Sequence, residues 1–185
     1  MSGTDIITLL CGDNSSAGND TLVGGTGNDT FNIYSGTDII TLLCGDNSGA
    51  GGDSDVLEVS SGATVNAANI NSFTATTTSS NAGTANLSTK AAGGTINMAA
   101  SNSGPYNING GAGADILTGG SGNDVFSVST TTEAYGDTIN GGAGNDIINL
   151  STGTHTLNND ARLSNVETIV ANSSGSTLIL TNQAE

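Results

Sequence analysis

The sequence predicts an all-β fold, a parallel β-solenoid or β-roll, and three observations carry that prediction. The acids are thirteen Asp against four Glu (Glu58, Glu133, Glu167 and Glu185), and Asp beside Gly and Asn marks turns rather than helix surfaces. No long apolar run recurs at the 3.6-residue spacing of a helix. Apolar residues and acids instead recur together at a fixed short period. Gly reaches 28 copies against one Pro, about twice the usual ~7% share.

Composition narrows function as well as fold. The chain has 185 residues and a formal net charge of -15, with Lys90 and Arg162 its only Lys and Arg. Neutralising phosphates needs clustered Lys and Arg, so nucleic-acid binding is excluded. Aromatics make up 3% and Trp is absent, which argues against a thick globular core. Disorder is the plain reading of an acidic, Gly-rich, aromatic-poor chain, and the shared period argues against it. No segment approaches the ~18 apolar residues of a membrane span, so no transmembrane insertion is expected. The opening MSGTDIITLLCGDN has no positive region and too short an apolar stretch for an N-terminal signal peptide.

A long repeat lies near the start. Residues 2–17 (SGTDIITLLCGDNSSA) recur at 35–50 (SGTDIITLLCGDNSGA), differing only at Ser16 against Gly49, at a spacing of 33. This reads as a duplicated unit whose first copy stacks on a neighbour of its own type. Cys11 and Cys44 hold one position of that unit. A stacked pair of small buried side chains is the plain expectation and a disulfide the alternative; no His lies near either in sequence to activate a thiol.

A second, shorter repeat carries the chemistry. SSAGNDTLV (15–23) runs directly into GGTGNDTFN (24–32), and IYSGTDIIT (33–41) keeps the frame. Downstream, GGAGADILT (110–118) and GGSGNDVFS (119–127) stand in tandem. After four inserted residues come TEAYGDTIN (132–140) and GGAGNDIIN (141–149). These seven copies resemble the RTX calcium-binding nonapeptide, GGxGxDxUx with U a large apolar residue.

The pattern also has a direct physical reading. Glycines permit positive φ and close backbone approach, so six residues make a tight turn with carbonyls facing inward. The Asp adds a short carboxylate. The next three residues form a strand with one inward apolar side chain, at Leu22, Phe31, Ile40, Leu117, Phe126, Ile139 and Ile148. With nine residues per half-turn, turns two repeats apart stack, and a hard cation taking six or more oxygens fits between them. Ca2+ suits that ligand set better than Mg2+, which keeps waters and a strict octahedron. The expected fold is a β-roll with calcium bound between stacked Gly-Asp turns. At 18 residues per turn and ~4.8 Å per strand, the whole chain would make a rod roughly 50 Å long.

The expected metal ligands are Asp20, Asp29, Asp38, Asp55, Asp115, Asp124, Asp137 and Asp146. Asp20 should face Asp38, Asp115 should face Asp137, and Asp124 should face Asp146. Asp29 should face Asn47, a weaker partner. Asp5 and Asp55, in degenerate copies, would cap the array or bind weakly, while Asp13 and Asp46 read as solvated turn residues. Tyr135 takes a motif Gly position, which puts that turn's geometry in question. Closely spaced carboxylates repel until a cation neutralises them, so folding is expected to be coupled to calcium.

Four segments follow. Residues 1–58 form an N-terminal calcium-binding roll with the 33-residue duplication. Residues 59–109 form a Thr/Ala/Ser/Asn-rich solenoid without acids, with apolar residues spaced out at Val65, Ile70, Phe73, Leu87, Ile96 and Met98, and with inward-type Ile residues in the runs GTINM and YNINGG. Residues 110–150 form a second calcium-binding block. Residues 151–185 form capping strands, including VETIV and TLILT, and a candidate type I secretion signal.

The RTX resemblance implies export by a type I system, with the chain unfolded in the low-calcium cytosol and folded outside. It implies a C-terminal uncleaved signal, which the apolar STLILTNQ fits; cysteines are unusual in that family. The layout also resembles bacterial surface-layer proteins. HExxH and GxSxG are absent, and the lone His155 reads as an exposed strand residue, so no enzyme is expected. The expected role is a secreted, calcium-binding structural protein, extracellular or on the bacterial cell surface. It would self-assemble end to end or laterally, with a cell-surface polysaccharide as a candidate anchor. The alternative is a calcium-stabilised adhesin or ice-binding module. GTGND (25–29) is similar to the repeat of RTX ice-binding proteins, but Ala17, Ala112, Ser121 and Ala143 replace Thr26 in other copies. TATTT (74–78) keeps the ice reading open; Tyr34, Tyr106 and Tyr135 are too scattered for a sugar site.

Overall fold

A computed structural model describes residues 6–9, 18–24, 27–43, 54–128, 136–157, 162–171 and 176–180. These form strands and turns without a helix. The chain opens with β1 (Ile6–Leu9), β2 (Thr21–Val23), β3 (Thr30–Ile33), β4 (Thr37–Leu42), β5 (Val56–Val59) and the long β6 (Thr64–Ile70). The acid-free segment continues with β7 (Ser72–Thr74), β8 (Ser80–Asn81), β9 (Thr84–Thr89) and β10 (Thr95–Asn97). Next come β11 (Asn107–Gly110), β12 (Ile116–Thr118), β13 (Val125–Val128), β14 (Thr138–Asn140) and β15 (Ile147–Leu150). The chain closes with β16 (Thr154–Leu157), β17 (Leu163–Ser164), β18 (Thr168–Ala171) and β19 (Thr177–Leu180).

All strand pairings are parallel and join one turn to the next, as a solenoid requires. One sheet runs the length of the molecule in the order β18-β15-β13-β11-β9-β6-β4-β2. The opposite face is β1-β3-β5-β8 in the N-terminal half and β17-β14-β12-β10-β7 in the C-terminal half. Both of these faces are present in the acid-free middle, so its turns are three-sided while the Asp-rich turns on either side are two-sided. The change of shape begins at the end of β6, where the register shifts between Ala67 and Ile70. Asn69 there adopts φ 60, a left-handed conformation that Asn tolerates better than most residues. β16 and β19 add a short third face at the C-terminal end.

In-register parallel stacking lines up the repeated apolar position. On the long sheet, Leu22, Ile40, Ala67, Leu87, Ile108, Phe126, Ile148 and Ile169 form one continuous inward row. Phe31 and Leu57 face it from one side, and Phe73, Ile96, Leu117 and Ile139 from the other. All the inward residues expected from the repeats are buried, as are Val65, Ile70, Phe73, Leu87, Ile96 and Met98 of the middle segment. The core is one side chain thick on each face, so it has no need of Trp. The outward face of the middle turns carries an amide ladder, Asn107 donating to Asn86 at 2.8 Å and Asn86 to Asn66 at 2.9 Å.

Three expectations need correction. Turns are not uniformly 18 residues: along the long sheet that step holds between Leu22 and Ile40 and between Ile108 and Phe126, and the other steps run from 20 to 27. Sheet pairing fixes the strands and leaves loop length free. Eight strands at ~4.8 Å then span roughly 34 Å. Secondly, the 33-residue duplication does not stack on itself. β1 pairs with β3, whereas β4, from the second copy, lies on the long sheet between β2 and β6. A period of 33 is an odd number of half-turns, which puts the two copies on opposite faces. Thirdly, His155 is buried, 5% exposed, because β16 pairs with β19 with His155 opposite Leu178; its Nε2 lies 3.0 Å from the Ser151 carbonyl oxygen. Cys11, Cys44, Asp5, Asp13, Asp46, Asn47 and Tyr135 lie outside the described residues.

Phe126 is fully buried between Ile108 and Ile148, while Ile116 is 53% exposed. Phe126→Ala should cost about 3–5 kcal/mol and Ile116→Ala under about 0.5 kcal/mol. Thermal unfolding in calcium measures both, and equal losses would contradict the inward row.

Candidate metal centres

Each Asp-rich turn places its acid at the start of a strand, immediately before it or, for Asp38, as the second residue of β4. Parallel pairing then sets the acid of one turn against the acid of the next. The Asp20 backbone N–H donates to Asp38 Oδ1 at 2.9 Å. The Asp115 N–H donates to Asp137 Oδ1 at 2.9 Å, and the Asp124 N–H to Asp146 Oδ1 at 2.7 Å. These are the three Asp–Asp pairs the repeats predict. Asp29 departs from expectation. β3 pairs with β5 with Thr30 opposite Val56, so the Asp29 N–H meets Asp55 Oδ1 at 2.8 Å. The intervening turn is longer than 18 residues, which carries Asp29 past position 47.

The ladder extends beyond the aspartates. Asp146 N–H donates to Glu167 Oε2 at 2.7 Å, so Glu167 fills the acid slot of the last long-sheet turn. A signal for it was present: Glu167–Thr168–Ile169–Val170 repeats the order of Asp20–Thr21–Leu22–Val23. Where the ladder begins within the chain, a neutral residue supplies the N–H. Gly94 donates to Asp115 and Tyr106 to Asp124, each at 2.7 Å. The Asn before the acid contributes a parallel contact. Asn19, Asn28 and Asn123 accept from the N–H groups of Thr37, Ser54 and Asn145 at 2.7–3.0 Å.

This arrangement buries acids at high electrostatic cost. Asp29, Asp38, Asp55, Asp115, Asp124, Asp137 and Asp146 are all buried; Asp20, in the first turn, is exposed. The Oδ1 atoms of Asp38, Asp55, Asp115, Asp124, Asp137 and Asp146 each accept a backbone N–H. Asp38 Oδ2 and Asp146 Oδ2 are buried with no hydrogen-bond partner. Burial pushes the Asp124 carboxyl up to about 6, with the nearby Asp146 charge adding and the Tyr106 and Gly120 N–H groups opposing. Burial likewise raises Asp38 and Asp146, opposed by one backbone N–H each and reinforced by Asp20 and Glu167 respectively.

Among the described residues no three His, Cys, Asp or Glu side chains converge, so a cation here must draw most of its ligands from backbone carbonyls. The turns supply them. A carbon added at Gly119 would sit 2.1 Å from the Gly141 carbonyl oxygen and 2.3 Å from Asp124 Oδ2. At Gly141 it would sit 1.8 Å from the Asn165 carbonyl oxygen and 2.4 Å from Asp146 Oδ2. Carbonyl and carboxylate oxygens of stacked turns thus crowd around glycines that only Gly can fill. Near Gly110 the Oδ2 atoms of Asp115 and Asp137 approach the same point, at 3.1 and 3.3 Å. Hard, closely set, negatively charged oxygens with spare lone pairs fit Ca2+. Bound there, the ion would neutralise the paired acids and tie one turn to the next.

A family model described as the RTX calcium-binding nonapeptide repeat (4 copies) matches residues 14–42, 107–128 and 131–154. These three segments carry RTX calcium-binding nonapeptide repeats. No curated protein and no solved structure matches the chain. The matched RTX segments contain seven of the eight expected ligands; Asp55 lies outside them, and only the pairing of β3 with β5 brings it to Asp29.

Two predictions follow from the geometry of the RTX turns. Asp124 binds its proton more tightly folded than unfolded, where the ordinary value is 3.8. In chelator its stabilising effect is therefore complete below about 4 and lost as pH rises through about 6. In calcium the proton competes with the ion, so the slope should reverse. Denaturation midpoints between pH 4.5 and 7.5, with and without calcium, check this, and slopes of one sign would refute it. Asp146→Asn replaces the partnerless oxygen with an N–H2 beside the Asn165 carbonyl. It should raise stability in chelator while weakening calcium affinity about tenfold, equivalent to about 1.4 kcal/mol, as read by calorimetric titration.

Proposed function

We propose that this protein is a secreted, non-enzymatic building block that folds on calcium outside the cell and assembles into an extracellular filament or layer. The observation that carries this reading is the long parallel sheet. It starts at β2 and finishes at β18, and no strand among the described residues covers the outer edge of either. A solenoid with two open ends and no closing symmetry generates fibres when it meets a copy of itself. The buried acids supply the control. With a net charge of -15, the stacked turns repel in the absence of calcium and hold together in its presence, so low calcium inside the cell keeps the chain exportable. Secretion is the expected route for an RTX protein, and a cell-surface polysaccharide remains a candidate anchor.

A second reading, an ice-binding or adhesive surface, is favoured by one observation. On the β7–β10–β12–β14–β17 face, Thr74, Asn97, Thr118, Asn140 and Ser164 form a registered outward row, beside Ser72, Thr95, Ile116 and Thr138. A regular polar array at ~4.8 Å spacing could order water, although the exposed Ile116 interrupts it.

Negative-stain electron microscopy of the purified chain, in millimolar calcium and in chelator, tests the first reading. Ordered fibres or sheets with calcium only, accompanied by a calcium-dependent β-sheet signal in circular dichroism, are expected. Single calcium-loaded rods that depress the freezing point of water non-colligatively would overturn it in favour of the second.

A further inference from the structure

Resting on the self-assembly reading, the inference concerns which surfaces meet. We propose that copies join head to tail through the long sheet, with β18 of one copy stacked in parallel on β2 of the next. The residue register would be Glu167 on Asp20, Thr168 on Thr21 and Ile169 on Leu22.

Three observations converge on this junction. Among the described strands the long sheet is the one face that reaches both ends, since β1 heads a different sheet from the one β17 ends. The last strand repeats the first in residue order, Glu167–Thr168–Ile169–Val170 against Asp20–Thr21–Leu22–Val23. Leu22 and Ile169 also end the same inward row. Ile169 is only half-buried whereas Ile148, one turn inside, is 1% exposed, so stacking a further turn on β18 would complete its burial.

The hydrogen-bond ladder supplies polarity. Within the molecule, the N–H at each acid slot donates forward to the carboxylate of the following turn. At the head, Asp20 is exposed and no N–H among the described residues donates to its carboxylate. At the tail, the Glu167 N–H has only a long 3.3 Å contact with the Asp146 carbonyl, which it shares with the Thr168 N–H at 3.1 Å. One end lacks a donor and the other has one to give. Their backbones complement each other as well. Ile39 N–H donates to the Asp20 carbonyl, so Asp20 faces inward to β4 and, by strand alternation, Thr21 turns its N–H and C=O to the open edge. In the proposed register the Thr21 N–H meets the Glu167 carbonyl of the preceding copy, as the Ile39 N–H meets that of Asp20. Asp20 over Glu167 also recreates the acid pair found at Asp146 and Glu167, so the junction requires a cation as the internal turns do.

Two variants of the full chain test it. In a Cys11→Ser/Cys44→Ser background, Thr21→Cys with Thr168→Cys places one thiol at each end of the sheet, too far apart to meet within a molecule. Stacked strands ~4.8 Å apart are within disulfide reach. Oxidation in calcium should convert more than half of the chain into a ladder of dimers and higher multiples on a non-reducing gel, with none in chelator. Separately, Thr21→Pro removes a donor that serves only the open edge, a position where Pro is tolerated. It should keep the calcium-dependent circular dichroism signal and sediment as a monomer. Assemblies in calcium without the disulfide ladder, or a folded Thr21→Pro chain that polymerises normally, would overturn this junction while leaving the self-assembly reading intact. An unaltered chain that stays monomeric in calcium would overturn both. If Thr21→Pro does not fold, the disulfide ladder alone decides.

Discussion

The Asp-rich blocks of this molecule depend on the bond between the backbone N–H at one acid slot and the carboxylate in the next turn. It sets register, because each N–H can reach only the acid directly ahead of it. It also obliges the fold to bury a negative charge in each internal turn of this kind, since the oxygen that accepts the N–H is held against the backbone. The second oxygen of Asp38 or Asp146 finds no hydrogen-bond partner. A buried carboxylate in that state is unfavourable unless protonated or paired with a cation. The raised position of Asp124 and the fit of these oxygens to a hard cation are two expressions of one constraint.

The acid-free middle shows what the solenoid does without it. There the same long sheet continues, but the turns gain a third face and the interior polar groups are neutral. Ser79 lies buried and accepts from the N–H groups of Leu57 and Thr76. Ser101 bonds to the Ser79 carbonyl and to the Tyr106 hydroxyl, at 3.0 and 2.6 Å. Tyr106 is the hinge between the two regimes. Its ring and hydroxyl complete the neutral network while its N–H starts the Asp124–Asp146–Glu167 ladder. Burial pushes its hydroxyl up to about 12, so it stays protonated and able to donate. The solenoid therefore sets a middle with neutral, mutually bonded polar groups between flanking blocks whose buried carboxylates a cation would neutralise.

The candidate sites were legible in the sequence wherever both partners sat in recognisable copies of the motif. In Asp20–Asp38, and across four inserted residues in the two C-terminal pairs, the acid, its glycine and its inward apolar residue recur in the same order, and parallel stacking has only to bring equivalent positions together. Legibility failed where a partner lay outside such a copy. Asp29 meets Asp55 because sheet pairing ignores how many residues a loop contains. Glu167 escaped notice because a Glu in a sequence without the flanking glycines does not look like the motif, although its carboxylate reaches the same slot. His155 looked exposed because nothing nearby in the chain says that β19 will lie beside β16.

The sequence by itself determined the local elements: which residues turn, which single side chain of each short strand points inward, and that oxygen ligands for a hard cation recur with the turns. These are properties of a few neighbouring residues, set by glycine's conformational freedom, the short reach of Asp and the two-residue alternation of a strand. Only the tertiary structure decided which turn lies over which, that the duplicated units face opposite ways, and that two-sided turns become three-sided at Asn69. Those outcomes depend on the number of residues between strands. A sheet constrains the partners it hydrogen-bonds and not the loops that carry the chain between them, so stacking is settled by the competition of whole turns for the same edge.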